Sequence, residues 1–188
     1  VGTSFARFRV SSVSGLGPVG TAPDGEVEDY RLTIDNGIDF GDAPDPDYST
    51  LLSSSGGGPR HKITGLFLGA KIDAEANGQP QANALGDDLS GIDDEDGVIF
   101  TDAIRSGVTA TIIVNATVPI GVTARLNGWL DFRGDGDWDD PGEHPVALTD
   151  AAIVNGANTI TFAVPPGLTD GKLTFARFRL STSTFNGN

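Results

Sequence analysis

Carboxylates are the side chains best placed to do chemistry in this sequence. Two windows, residues 86–102 and 131–143, hold seven and six acids, half of the 26 Asp and Glu in the chain, with one Arg among them. Carboxylates this crowded repel one another unless they are solvated or hold a cation, and a hard cation such as calcium recruits about six to eight oxygens. In the first window Asp87, Asp88, Asp93, Asp94 and Asp96 lead into an Asp-Gly turn and then a strand, and Asp42, Asp73 and Glu75 of the preceding loop can complete a site. In the second, Asp131, Asp135, Asp137, Asp139 and Glu143 are the candidate ligands of a calcium ion.

The second window is the more specific. It resembles an EF-hand-type calcium loop, with Asp131 and Asp135 at the first and fifth positions and Gly136 at the sixth, where a sharp turn is needed. Arg133 stands where the third ligand is expected, Glu143 closes the loop one residue late, and no helices flank it. This is therefore a calcium loop set between strands.

Other chemistries are thinly supplied. Zero Cys removes thiol catalysis, thiolate metal sites and disulfides, and His61 and His144 alone cannot build a His-rich zinc site. No Gly-x-Ser-x-Gly context is present, and acids this numerous single out no catalytic pair, so no enzyme is expected. His61, in Pro59-Arg60-His61-Lys62, reads as an orienting hydrogen-bonder. A net charge of −14 repels a phosphate backbone, which excludes nucleic acid, and no apolar run reaches the roughly 18 residues of a membrane span. Val1-Gly2-Thr3-Ser4 carry neither an initiator Met nor a signal pattern, and the chain reads as a mature or excised segment.

The elements that position these acids are strands. Nearly a fifth of the chain is Gly (26) or Pro (11), which favours short elements joined by turns. Strands are predicted near 4–12, 26–34, 62–70, 97–101, 107–118, 122–132, 158–164 and 172–181. Residues 108–118 and 122–132, joined by Pro119-Ile120-Gly121, read as a hairpin with Trp129 in the core, and Leu148 to Val154 as a turn or two of helix. The fold class is all-β, an Ig-like antiparallel β-sandwich. Residues 1–34 form terminal strands, 35–97 an acidic loop region held by a cation, and 98–188 the sandwich core.

Self-similarity adds a second argument. Phe5-Ala6-Arg7-Phe8-Arg9 recurs as Phe175-Ala176-Arg177-Phe178-Arg179, so the two ends carry equivalent strands of a permuted or strand-exchanged repeat. The first copy is followed by Gly25-Glu26-Val27-Glu28-Asp29-Tyr30 and the rest of a strand to Ile34. Residues 26–34 of a second copy or a neighbouring repeat are expected to complete the sheet begun by 175–181, a heterologous contact that propagates head to tail. Arg7 and Arg9 are expected to pair across to Glu26 and Glu28.

Gly25-Glu26-Val27-Glu28-Asp29-Tyr30, Asp39-Phe40-Gly41-Asp42-Ala43-Pro44, Leu68-Gly69, Gly86-Asp87-Asp88, the run Asp93 to Val98 and the Asp-Gly-Asp-Trp loop together resemble the GEVED domain of bacterial surface proteins. The resemblance implies a secreted or cell-surface β-sandwich module of large, repetitive, adhesin-like proteins, with acidic calcium-binding loops and no enzymatic activity. The family places its signature strand at the end of the module, whereas here it lies near the start. The expected function is an extracellular structural or adhesive module that assembles head to tail into a filament or stalk, stiffened by calcium. The alternative is a carbohydrate-binding or surface-adhesion module that recognises a glycan without self-assembly, using Trp129, Trp138, Tyr30 or Tyr48 as a platform.

Overall fold

A computed structural model describes residues 2–35, 37–86, 94–169 and 171–186 of the chain. The described residues form eleven strands and one short 3-10 turn, and every strand pairing is antiparallel. The chain divides into two compact units, Val1–Asn36 and Gly37–Asn188. Residues 35–97 and 98–188, distinguished by composition, therefore belong to one unit from Gly37 onward.

The first unit is a two-stranded hairpin of β1 (Gly2–Val10) and β2 (Glu26–Ile34), in full register from Gly2 opposite Ile34 to Val10 opposite Glu26. Alternation along both strands sorts the side chains into two faces. One face collects Ala6, Phe8, Val10, Tyr30, Leu32 and Ile34, with Phe8 and Tyr30 edge to face at 5.8 Å. The other carries Arg7 and Asp29, joined by two hydrogen bonds of 2.7 Å, which hold the Asp29 carboxyl below the usual carboxylate range. The expected pairing of Arg7 and Arg9 with Glu28 and Glu26 is corrected here. The register sets Arg7 opposite Asp29 and Arg9 opposite Val27, while Glu28 and Glu26 face the other way. Arg9 instead donates to the carbonyls of Gly17, Val19 and Gly20, ordering the connection between the strands.

The second unit has two main sheets. In one, β7 (Thr109–Thr117) is flanked on one edge by β10 (Gly156–Ala163) and on the other by two short strands laid end to end, β5 (Phe67–Leu68) and β6 (Val98–Phe100). In the other, β8 (Ala124–Leu130) lies between β9 (Ala151–Ile153) and β11 (Ala176–Ser181). Ile112, Val114 and Phe162 of the first sheet and Leu126, Ile153 and Leu180 of the second bury into one shared cluster, joined by Leu148 from the 3-10 turn Val146–Leu148. A smaller pair, β3 (Ile38–Phe40) with β4 (Arg60–Lys62), opens the loop-rich stretch.

Two local expectations are overturned. Residues 108–118 and 122–132 are strands but not a hairpin, because β7 and β8 belong to different sheets. Both edges of each strand are already taken by other partners, and the Pro119-Ile120-Gly121 link, with Ile120 fully exposed, is an arch from one sheet to the other. The stretch expected to be helical is the 3-10 turn followed by β9, since pairing Ala151–Ile153 against Ala124–Leu126 satisfies backbone groups that a helix this short would leave open. Trp129 lies on β8 but is only half-buried, stacked on His144 at 4.6 Å with Phe185 at its edge.

The junction of β5 and β6 shows why glycine is needed. Asn115 donates to the Gly97 carbonyl and accepts from the Gly69 N–H, both at 2.8 Å, so one residue of β7 bridges the gap between the short strands. A Cβ on Gly97 would stand 2.5 Å from the Leu68 Cβ and 2.7 Å from the Gly69 nitrogen. Gly97→Ala is expected to cost about 2–4 kcal/mol, read as a fall in Tm of roughly 5–12 °C. Gly121→Ala, where φ is +82° but nothing lies within 4 Å, is expected to cost only about 1–2 kcal/mol. Equal losses for the two would remove the close-approach explanation.

Candidate functional site

Asp131 follows β8 directly, and its carboxylate is enclosed before any cation is considered. Its side chain is 0% exposed. One oxygen accepts from the N–H groups of Gly134 and Asp135, and the other from the Gly136 N–H at 3.0 Å and the Tyr48 hydroxyl at 2.6 Å. The loop can close around it because Gly134 and Gly136 take φ of +62° and +99°, angles that suit glycine. Burial works against the charge on Asp131, but the Tyr48 hydroxyl and these three amides outweigh it and hold the carboxyl below its ordinary range.

Glu143, 1% exposed, returns to the same point. Its two oxygens accept from the N–H of Arg133 at 3.3 Å and of Asp140 at 3.2 Å. Burial raises its carboxyl above the usual range, helped by the charges of Asp131 and Asp140. Asp135 is exposed, and its carboxyl is raised by partial desolvation and by Asp137, Asp131 and Asp140. Ligand oxygens of Asp131, Asp135 and Glu143 all lie within 4.8 Å of one another, the one such trio among the described residues.

The remaining candidates of this loop are not drawn in. Asp137 and Asp139 are exposed, and Asp137 accepts the Asp139 N–H at 3.0 Å, a local turn that leaves both side chains at the surface. Arg133, the departure from the calcium-loop pattern, turns outward to pair with Asp140 at 2.8 Å. Lys172 donates to the Arg133 carbonyl at 2.6 Å, which ties the loop to the segment before β11.

A second group of carboxylates gathers where β3 meets the loop after β5. Asp42 and Glu75 are buried, and Asp39, Asp73 and Asp94 are half-buried. Glu75 accepts the Phe40 N–H at 2.9 Å through one oxygen, and its N–H donates to the Ile38 carbonyl at 2.9 Å. Asp94 accepts the Asp73 N–H at 3.3 Å and Asp42 accepts the Gln79 N–H at 3.2 Å. The second oxygen of Glu75 and one oxygen of Asp73 are buried without a hydrogen-bond partner. Burial, then the charges of Asp94, Asp42 and Asp73, push Asp39 up to about 7, and burial raises Glu75 as well. Such a group can be neutralised by protons or by a cation.

Asp96, expected to join this group, caps the start of the loop instead by accepting the Ala70 N–H at 3.1 Å. Asp87, Asp88 and Asp93 lie outside the described residues. Asp39, Tyr48 and Phe40 are the participants that the sequence reading left out. Asp39 sits in a quoted motif, but its proximity to Asp73 and Asp94 is made by chain segments more than 30 residues away. Hydrogen bonds hold part of the loop region. Asp45 accepts from the N–H groups of Thr50 and Leu51 and from the Ser54 hydroxyl, and Thr50, fully buried, donates to the Ala43 carbonyl at 2.8 Å.

Both Arg side chains of the second pentapeptide copy reach into this region. Arg177 donates to the Ser49 carbonyl and the Thr50 hydroxyl oxygen, both at 3.1 Å, and lies 4.4 Å over the Trp138 ring, which also packs on Tyr48. Arg179 donates to His61 Nε2 at 2.9 Å. Burial and the nearby Arg179 charge push His61 down to about 4, so its ring stays neutral and orients Arg179.

The Asp39 group has a signed consequence for metal-free protein. Its carboxyl ionises near 7 in the fold but near its ordinary value in the unfolded chain, so the folded state binds more protons between about pH 4 and 7 and loses stability as pH rises through that window. Asp39→Asn in chelator is expected to gain about 1–2 kcal/mol over the native chain at pH 7.5 and nothing at pH 4.5. Paired thermal melts read this difference, and a gain independent of pH would refute it.

No helix of the described residues is long and apolar enough to cross a membrane. No curated protein and no solved structure matches the chain. A family model does match, over residues 125–188, the stretch that runs from β8 through the Asp131, Asp135 and Glu143 loop to β11. That family is the GEVED domain.

Proposed function

We propose that the chain is an extracellular structural module that joins copies of itself or neighbouring repeats head to tail, in an Ig-like β-sandwich whose acidic loops hold calcium. The observation that carries this reading is the first hairpin. On its apolar face Phe8 and Val10 are 63% and 65% exposed, and β2 is exposed along its whole length. A two-stranded hairpin with an apolar face and no core of its own is marginal in water, and large exposed apolar faces mark interaction surfaces. Its pentapeptide recurs in β11, where Leu180 is buried and Phe178 packs on the core.

Calcium suits the acidic sites in kind. Asp131, Asp135 and Glu143 offer a compact trio of carboxylates, and the Asp39, Asp42, Asp73, Glu75 and Asp94 group holds buried oxygens with no donor. A net charge of −14 favours a cation-rich exterior, and extracellular calcium modules commonly bind in the range of about 10⁻⁴–10⁻³ M. Ligand that binds only the folded state at a hundred times its Kd adds about 2.7 kcal/mol of stability. The GEVED match over residues 125–188 is consistent with a module of this kind.

The test is electron microscopy and light scattering of the chain in millimolar calcium and after chelation, with thermal melts on the same samples. The expected outcome is concentration-dependent linear assemblies and a Tm several degrees higher with calcium. A Tm unmoved by chelation removes the calcium part. A chain that stays monomeric at all concentrations and binds a glycan saturably removes the assembly part in favour of the adhesion module.

A further inference from the structure

A cavity of about 560 Å³ in the second unit runs along β11. Every residue from Leu173 to Leu180 lines one side, and β5, β6 and the segment after β3 line the other. Its floor is apolar, with Phe40, Leu66, Leu68, Val98 and Phe100 contributing. Among the described residues β11 is the edge of its sheet on this side, since the strand order is β11, β8, β9. A groove with an apolar floor beside an unpaired strand edge has the shape that a further strand fills.

The unpaired edge can be identified residue by residue. The Phe175 carbonyl accepts the Asp131 N–H at 3.1 Å, so it points toward β8. In an antiparallel strand the backbone groups alternate in direction, which leaves the N–H and C=O of Ala176, Phe178 and Leu180 facing the groove. Their counterparts in the first copy are Ala6, Phe8 and Val10. The Val10 carbonyl lies against the Gly25 backbone, only 1.8 Å from where a Gly25 Cβ would stand, so this set faces β2. The edge that β11 leaves open is the edge that β1 uses for β2.

The arginine of the repeat gives the same answer. Arg7 has Asp29 at 2.7 Å, whereas among the described residues neither Arg177 nor Arg179 forms an ion pair with a carboxylate. Both line the groove, whose walls carry Lys62 and Lys71 as well as Asp39, Asp42, Asp94 and Glu95. Burial, then the neighbouring Arg179, lowers Arg177 to about 10, while Asp45 pulls it the other way. On β2 Asp29 shares the face that meets the arginines, and Glu26 and Glu28 lie on the other face.

We infer that the groove beside β11 is the seat of β2 from a second copy of this chain, which exchanges β1 for β11 in the same register. Tyr30 of that strand then lies opposite Ala176, Asp29 opposite Arg177, Glu28 opposite Phe178 and Glu26 opposite Leu180, as the β1 register prescribes with each β1 residue replaced by its repeat. Giving up the β1 pairing is cheap because an isolated hairpin is marginal, and Tyr30 and Leu32 move from water to an apolar groove. The seat rests on the head-to-tail reading above and specifies which surfaces meet.

The experiment is hydrogen exchange on the full chain across a concentration series, with size measured on the same samples. Protection of the groove-facing amides of Ala176, Phe178 and Leu180 that appears together with the assembled species is the expected result. The chain has no native Cys, so Ala176→Cys and Tyr30→Cys single variants, mixed and oxidised, test the register. They are expected to form a heterodimer at least tenfold faster than Ala176→Cys mixed with Leu32→Cys. Assembly without protection of the Ala176, Phe178 and Leu180 amides, or cross-linking that ignores position, overturns the seat and leaves the assembly reading standing. Protection of these three amides in a monomer overturns the second copy as donor. A chain that never assembles overturns both.

Discussion

A buried carboxylate has to have its charge met, and this constraint shapes the second unit more than any other. Asp42, Glu75, Asp131 and Glu143 are all buried among the described residues, in a chain that is already strongly acidic. Leaving such groups charged and unpartnered costs several kcal/mol each, so each must be met by donors, protons or a cation. Asp131 is met by donors: three glycine-rich loop amides and the Tyr48 hydroxyl. That arrangement fixes the loop after β8, places Tyr48 against Trp138, and so sets where Arg177 lies. The Asp39 and Glu75 group is met incompletely, and its raised carboxyls record the deficit.

The two sites therefore differ in kind. The Asp131 loop is preorganised by hydrogen bonds and needs a cation least for its own integrity. The Asp39 group draws on β3, the loop after β5 and the approach to β6, segments with little apolar content to hold them together. A cation there would act as a structural cross-link between loops, which is how calcium stiffens a module with a long acidic connection. The pentapeptide arginines serve the same region, since Arg177 and Arg179 anchor β11 to the loops through Ser49, Thr50 and His61.

Strand edges impose the other constraint. A sheet edge left open is a template for pairing, and an apolar hairpin without a core is a strand pair seeking one. The chain has both, in segments that share five identical residues. The same Phe-Ala-Arg-Phe-Arg run shows two fates: in the second copy Phe178 packs on a core and both arginines are half-buried, and in β1 Phe5 and Phe8 face water while Arg7 is held by Asp29.

Several features were legible without coordinates. Turn-forming composition and β-branched runs gave the all-β class and most strand positions, because local propensity and alternation suffice where a strand is long and half-buried. The acidic loop at 131–143 and the meeting of its first, fifth and last carboxylates could be read from spacing, because one short turn brings them together. Sheet membership could not be read that way. β7 and β8 are adjacent in sequence and look like a hairpin, yet each is claimed by distant strands that supply more burial than the other would. Asp137 and Asp139 share the spacing of ligands but lie at the surface, where Asp137 accepts the Asp139 N–H in a local turn. Asp39 joins Asp73, Glu75 and Asp94 only once β3 has paired with β4 and the loop has folded back, and no local pattern encodes a meeting of segments so far apart. The sequence by itself determined which side chains carry charge and which stretches extend. Tertiary structure decided which charges are buried together and which strand edge stays open, because both depend on long-range packing.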